Sequence, residues 1–139
     1  MKRILLFVAI ITSILQASNF RDGMVSYKNG NFQDAKTSFE LAIKKDHSIQ
    51  ANFMLGKIYL YGEGILPDRK KAINYLEKSV QSGNLRATCF LSEAYLKNDT
   101  NKTEAISLLK KGLKKNLKEC KKIVRIYNIK FKQKASKWN

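Results

Sequence analysis

Apolar residues along most of this chain fall into two alternating kinds of stripe. In the first kind Gly23, Leu55, Leu91 and Ile123 stand four positions before Tyr27, Tyr59, Tyr95 and Tyr127, and Ala51 and Ala87 stand eight before Tyr59 and Tyr95. The second kind is counted from Ala35, Ala72 and Ala105: Phe39, Leu76 and Leu109 follow at +4, the small residues Ala42, Ser79 and Gly112 at +7, and Ile43, Val80 and Leu113 at +8. Spacings of 4, 7 and 8 put side chains on one face of an α-helix, and a small residue at +7 lets a neighbouring helix approach closely. The pattern predicts helices in pairs, A and then B. Because the four tyrosines recur 32, 36 and 32 residues apart, the pairs form an array of stacked hairpins.

The punctuation between stripes agrees with this reading. Gly30 follows Tyr27, and Gly62 and Gly64 follow Tyr59, where a left-handed residue would end helix A; Pro67 keeps the next helix from starting early. Asn31, Asp68 and Asn101 stand four residues before the three alanines and are the expected N-caps of the B helices, with Asn101 and Glu104 resembling a capping box. The fourth unit has a helix A around Tyr127 but no second capped helix, so a polar terminal helix closes the stack.

At this point the residues resemble a known family. Ala51-Asn-Phe-Met-Leu-Gly-Lys-Ile-Tyr-Leu-Tyr-Gly-Glu-Gly-Ile-Leu-Pro-Asp68, followed by Lys71-Ala72 and Tyr75-Leu76-Glu77-Lys78, is similar to a Sel1-like repeat in its alanine, Leu-Gly, tyrosine, Gly-x-Gly, aspartate and Lys-Ala positions. Gly30 to Ala35, with Phe39 and Ala42, resembles the related tetratricopeptide repeat, while the third unit has Lys97-Asn98 in place of the glycine-rich turn and the fourth is degenerate. The resemblance implies an all-α fold: an α/α right-handed superhelix, or solenoid, of about three helical hairpins plus a C-terminal capping helix. It also implies an interaction scaffold whose concave surface is lined by the first helices. By that analogy the partner-binding positions are Lys28, Asn29, Lys57, Tyr61, Arg86, Glu93, Lys97 and Arg125, a mixed but mostly basic set. A protein or peptide ligand of acidic character is its natural complement.

The first residues read differently from the array. Lys2 and Arg3 precede an apolar run from Ile4 to Leu15, and Ala17-Ser18 supplies small residues for cleavage, the pattern of a secretory signal over residues 1–18. The run falls short of the ~20 apolar residues a spanning helix needs. The expected organisation is a signal at 1–18, the repeat array at 19–127 and a basic tail at 128–139, in a protein of the periplasm or exterior of a bacterial cell.

Charge narrows the partners. The chain carries 27 Lys and Arg against 11 Asp and Glu, a formal net charge of +16, and residues 101–139 hold 13 of those cations against only Glu104 and Glu119. Lysines at 110, 111, 114, 115, 118, 121 and 122, with Arg125, form a solvated face opposite Ile106, Leu109, Leu113 and Leu117. The excess suits acidic partners and electrostatic contact with anionic envelope components. Arginines are few, so the bidentate recognition that nucleic-acid sequence reading rewards is poorly represented, and no specific nucleic acid is expected.

Candidate chemistry is sparse. Cys89 and Cys120 are the only cysteines, both early in the A helices of consecutive repeats; stacking favours a disulfide between them, two buried thiols being the alternative. Exported cysteine-rich relatives use the Cys120 place with a partner eight residues earlier, which here is Gly112. Asp99-Thr100-Asn101-Lys102-Thr103 fits the extended acceptor sequon that some bacteria use for asparagine glycosylation, although a cap role would already account for Asn101. Ser107 and Lys110 have the Ser-x-x-Lys spacing of penicillin-recognising enzymes, and some relatives are catalogued as β-lactamases; the Ser-Asp-Asn and Lys-Thr-Gly elements that chemistry also needs do not occur. His47, the sole histidine, lies among lysines as a solvated turn residue. No metal, cofactor or catalytic site is expected.

Overall fold

A computed structural model describes residues 19–131, all-helical with no strand among the described residues. Residues 19–28 are helical (α1), followed by α2 (Phe32–Asp46), α3 (Ile49–Tyr61), α4 (Arg69–Gln81), α5 (Leu85–Lys97), α6 (Lys102–Lys114) and α7 (Lys118–Ile126). Each helix from α2 onward packs on the next, and α3 meets α5 as α5 meets α7. The molecule is a solenoid of three helical hairpins, α1–α2, α3–α4 and α5–α6, closed by α7. The expected signal over residues 1–18 lies outside the described residues, as does the tail from 132.

Both stripes form the core. Ala35, Phe39 and Ala42 of α2, Ala72, Leu76 and Ser79 of α4, and Ala105, Leu109 and Gly112 of α6 are all buried, as are Ala51, Leu55, Ala87 and Leu91 of the A helices. Burying a Phe or Leu side chain contributes about 1.5 to 3 kcal/mol. The small positions permit close approach: a Cβ at Gly56 would meet Leu76 at 2.6 Å. In the α3–α4 turn Gly62 and Gly64 take φ of 69° and 67°, and a Cβ there would press on Pro67 and Phe32 respectively at 2.6 Å. The turn therefore folds tightly against the preceding hairpin.

Only one of the three expected B-helix caps is made. Asp68 accepts from the Lys71 amide at 2.9 Å. Asn31 and Asn101 make no side-chain cap bond; Asn101 sits at φ 45°, ψ 42°, which turns its side chain away from the α6 amides, so the capping box with Glu104 does not form. Two further caps lie on the A helices: Ser48 Oγ accepts from the Ala51 amide, and Asn84 Oδ1 accepts from the amides of both Arg86 and Ala87.

The lysine-rich stretch is two helices rather than one. Lys115 to Leu117 break it, with Asn116 at φ 60°, and Ala105, Leu108, Leu109 and Gly112 form the buried face of α6 in place of Ile106 and Leu113, which are only partly covered. A second, smaller core gathers Cys89, Leu109, Cys120 and Ile123, with Ile129 and Phe131 packed against it. At its centre Cys89 and Cys120 form a disulfide with Cα atoms 4.9 Å apart, fastening α5 to α7.

Candidate functional site

The A helices carry a row of polar and aromatic side chains along one face, because positions four apart on each helix share that face. On α3 these are Phe53, Lys57 and Tyr61, and on α5 Arg86, Phe90, Glu93 and Lys97. α7 adds Glu119, Lys122 and Ile126. Tyr61, Phe90, Glu93, Glu119, Lys122, Ile123 and Ile126 line a hollow of about 280 Å³ between α3, α5 and α7. Phe90 is its floor, packed edge-on to Phe53 with centroids 5.3 Å apart and to Tyr61 at 6.3 Å. Tyr61 and Ile126 stand 40% and 60% exposed at its mouth.

Charges around this hollow are paired across repeats. The Tyr61 hydroxyl donates to Glu93 Oε2 at 2.6 Å, and Lys97 Nζ lies 3.4 Å from the other oxygen of that carboxylate and 4.8 Å from the Tyr61 ring centroid. Glu93, only 6% exposed, thereby has a partner for each oxygen. Arg86 donates through Nε to Glu119 Oε1 at 2.9 Å while its guanidinium covers the Phe53 ring. One repeat earlier the Tyr27 hydroxyl donates to Glu63 at 2.8 Å, and Lys57 Nζ reaches the Tyr27 oxygen at 3.1 Å.

These contacts shift the titrating groups in a consistent way. Burial, then the bond and charge of Glu93, push the Tyr61 hydroxyl far above its ordinary value, and burial with Glu63 does the same to Tyr27. Burial alone would raise Glu119, but its own backbone amide and Arg86 outweigh this and hold its carboxyl below the usual range. The arrangement holds a protonated phenol against a carboxyl group. It offers contact and charge, with no nucleophile and base within reach of each other.

Of the eight residues expected to bind a partner, five meet here: Lys57, Tyr61, Arg86, Glu93 and Lys97. Their cations are less available than the sequence suggested, since Arg86 and Lys97 are engaged by Glu119 and Glu93. Lys28 and Asn29 lie exposed at the end of α1, and Arg125 is exposed on α7 beside the lining residues. Sequence reasoning missed Phe90, Glu119, Lys122 and Ile126. Their signal was the repeat spacing itself, for Tyr61 and Glu93 are 32 residues apart and Arg86 and Glu119 are 33 apart. Ser107 and Lys110 are both exposed on α6 and line none of the hollows described here; His47 is an exposed, left-handed residue ending α2.

A larger hollow of about 760 Å³ lies at the α3–α4 turn, lined by Lys36, Tyr59, Leu66, Asp68, Arg69 and Lys71 among others. It is wide open to solvent, and the Asp68 carboxylate already occupies the α4 N-terminus. Size alone does not make it the better site; the smaller hollow has an aromatic floor and walls from three repeats.

Among the described residues no helix is long and apolar enough to cross a membrane. Residues 49–84, which span α3, the glycine turn and α4, match the family model for the Sel1 repeat. Sel1 repeats generally mediate protein–protein interaction and are typically non-catalytic. Residues 49–84 thus resemble a Sel1 repeat, and the hairpins before and after them stack on this unit in the same way.

Proposed function

We propose that the chain is an exported, non-catalytic scaffold that holds an extended segment of a partner protein along the A-helix face, with one apolar side chain of the partner seated in the hollow between α3, α5 and α7. The observation that carries this reading is the hollow's composition. Tyr61, Phe90, Ile123 and Ile126 supply apolar surface at its centre, and the ion pairs at its edge are already satisfied, so apolar contact drives binding and the rim orients it. Lys122 at the rim and the exposed Arg125 and Lys28 are the cations left facing outward, which supports a partner whose anchor is followed by an acidic residue or a terminal carboxylate. Export is supported by the residue pattern at 1–18, and the buried Cys89–Cys120 bridge is compatible with an oxidising compartment.

A photo-crosslinking residue at position 126 identifies the partner segment in the envelope fraction, and a synthetic peptide of that segment is then titrated against purified variants. Ile126→Asp should weaken binding at least tenfold and Lys122→Glu several-fold, the latter in a salt-dependent manner. Equal affinity of wild type and both variants would remove the hollow as the docking site. Intact mass of the envelope-derived chain tests export separately: loss of 17 or 18 residues is expected, and a species retaining Met1 would refute cleavage.

A further inference from the structure

The turn between α5 and α6 holds the five-residue stretch Asp99-Thr100-Asn101-Lys102-Thr103, with an acid two positions before the asparagine and a hydroxyl two positions after it. The cap role expected of an asparagine there is absent, although the left-handed backbone it adopts is one that asparagine tolerates better than most residues. Where Asp68 and Asn84 bind the amides of the helices they precede, Asn101 adopts φ 45° and ψ 42° and binds none. All five residues are exposed. We propose that Asn101 is an acceptor for N-linked glycosylation in the exported protein, a site that rests on the export reading above but not on the hollow.

A glycosyltransferase needs the acceptor in an extended form that presents the asparagine amide and the hydroxyl at +2 together. Thr103 lies in the first turn of α6, so that turn must unwind for the stretch to be gripped. The missing cap makes this inexpensive: the first amides of α6 have no side-chain partner to lose, and an uncapped helix end opens at little cost. Asp99 is left-handed at φ 52°, and the amides of Asp99 and Thr100 donate to the Leu96 and Tyr95 carbonyls of α5 at 3.3 and 3.0 Å, two exposed bonds that must open as well. The Tyr95 hydroxyl gives its own proton to Glu77 at 2.6 Å. Burial and Glu77 push that hydroxyl up to about 12, and the nearby Asn101 amide works weakly in the other direction. An amide nitrogen carries two hydrogens, so attachment of sugar at one leaves the other for this contact.

In the transfer itself, Asn101 Nδ2 forms a bond to the anomeric carbon of an oligosaccharide carried on a lipid pyrophosphate. The bond from that carbon to the pyrophosphate oxygen breaks, the lipid pyrophosphate leaves with the electron pair, and Nδ2 gives up one proton to a base of the transferase. Asn101 is not among the residues lining the hollow between α3, α5 and α7, so a glycan here leaves that surface open. The chain also contains an internal control. Asn98-Asp99-Thr100 has the same hydroxyl spacing but Leu96 at the acidic position, and the Asn98 amide is turned toward Thr100 Oγ1 at 3.5 Å.

Two measurements test the site. In the first, intact mass and peptide sequencing of chain purified from envelopes should show a glycan-sized increment at Asn101, abolished by Asn101→Gln, Thr103→Val or Asp99→Ala and retained in Asn98→Gln and Thr103→Ser. In the second, folded chain lacking residues 1–18 is incubated with bacterial membranes containing an oligosaccharyltransferase and a lipid-linked oligosaccharide, and the same pattern should appear. A cleaved, exported chain carrying bare Asn101 overturns the proposal. So does transfer to the heat-unfolded chain but not the folded one, because the exposed, uncapped turn would then not be presenting the acceptor. A cell-derived chain that retains Met1 refutes export alone, and the reaction with membranes then decides the site.

Discussion

Gly112 has no room for a side chain because the Cys120 sulfur occupies the space: a Cβ at position 112 would overlap Cys120 Sγ and lie 3.1 Å from Cys89 Sγ. The α5–α7 disulfide thus passes directly over the bare backbone of α6, and three helices meet within one side chain's width. Gly112→Ala is expected to destabilise the protein by about 1 to 3 kcal/mol through overpacking, despite alanine's better helix propensity. In a Cys89→Ala, Cys120→Ala background the penalty should shrink or reverse. Urea unfolding of the four proteins measures it, and an equal cost in both backgrounds would show that the bridge is not what the glycine accommodates.

Reduction of the Cys89–Cys120 bridge opens a loop with a sequence separation of 31 residues. The chain-entropy relation assigns such a loop about 3 to 4 kcal/mol. Since α7 is short and the lysine-rich end repels itself, α7 should detach before the α3–α4 hairpin melts. Thermal unfolding with and without reductant, followed by hydrogen exchange, checks both statements. Matching melting curves would contradict the first, and uniform exchange across α3 and α7 would contradict the second.

Asn84→Ala removes a cap that accepts from two amides and should cost about 1 kcal/mol. Asn31→Ala removes a residue whose side chain caps nothing, so its cost should stay within ~0.5 kcal/mol, the range of an unremarkable surface change. Denaturation midpoints for the pair give the comparison, and a reversed order would mean that the caps have been assigned to the wrong helices.

Tyr61 gives an alkaline signature. Its hydroxyl titrates far above its ordinary value of about 10 in the folded chain, so the unfolded chain loses this proton first. The stability it contributes is fully present below pH ~10 and is lost as pH rises beyond that toward the folded value. Tyr61→Phe should therefore cost roughly 0.5 to 1.5 kcal/mol at pH 8 through the lost bond to Glu93. Its stability should also fall less steeply than that of wild type between pH 9 and 11, lysine deprotonation being common to both. Parallel declines would indicate that Tyr61 is not the group responsible.

The stripes were legible because each of Ala35, Phe39, Leu76 and Leu109 is buried by its own position in a periodic helix, and periodicity is written in the sequence. Pro67 and the left-handed Gly62 and Gly64 were legible for a similar reason, being residues with few other uses. The caps were harder. Four-residue spacing before the alanines pointed to Asn31, Asp68 and Asn101, while Ser48 and Asn84 sit three residues before Ala51 and Ala87, a position the count did not consider. The hollow was half legible. Tyr61 and Glu93 could each be placed on the A-helix face, but their pairing depends on how far one helix slides along the next, a quantity no single helix encodes. In the last unit that offset brings Lys122 and Ile126 to the hollow where analogy had pointed to Arg125.

On the A-helix face the bonds to carboxylates between repeats run in one direction: Tyr27 holds Glu63, Tyr61 holds Glu93 and Arg86 holds Glu119, each carboxylate belonging to a later segment than the group that grips it. They form a line of latches along the stacked hairpins. A guest that drew Glu93 toward itself would have to unfasten Tyr61, which would loosen α3 on α5 while the disulfide still clamped α5 to α7. Occupancy of the proposed site would then be felt as a change of pitch between two hairpins.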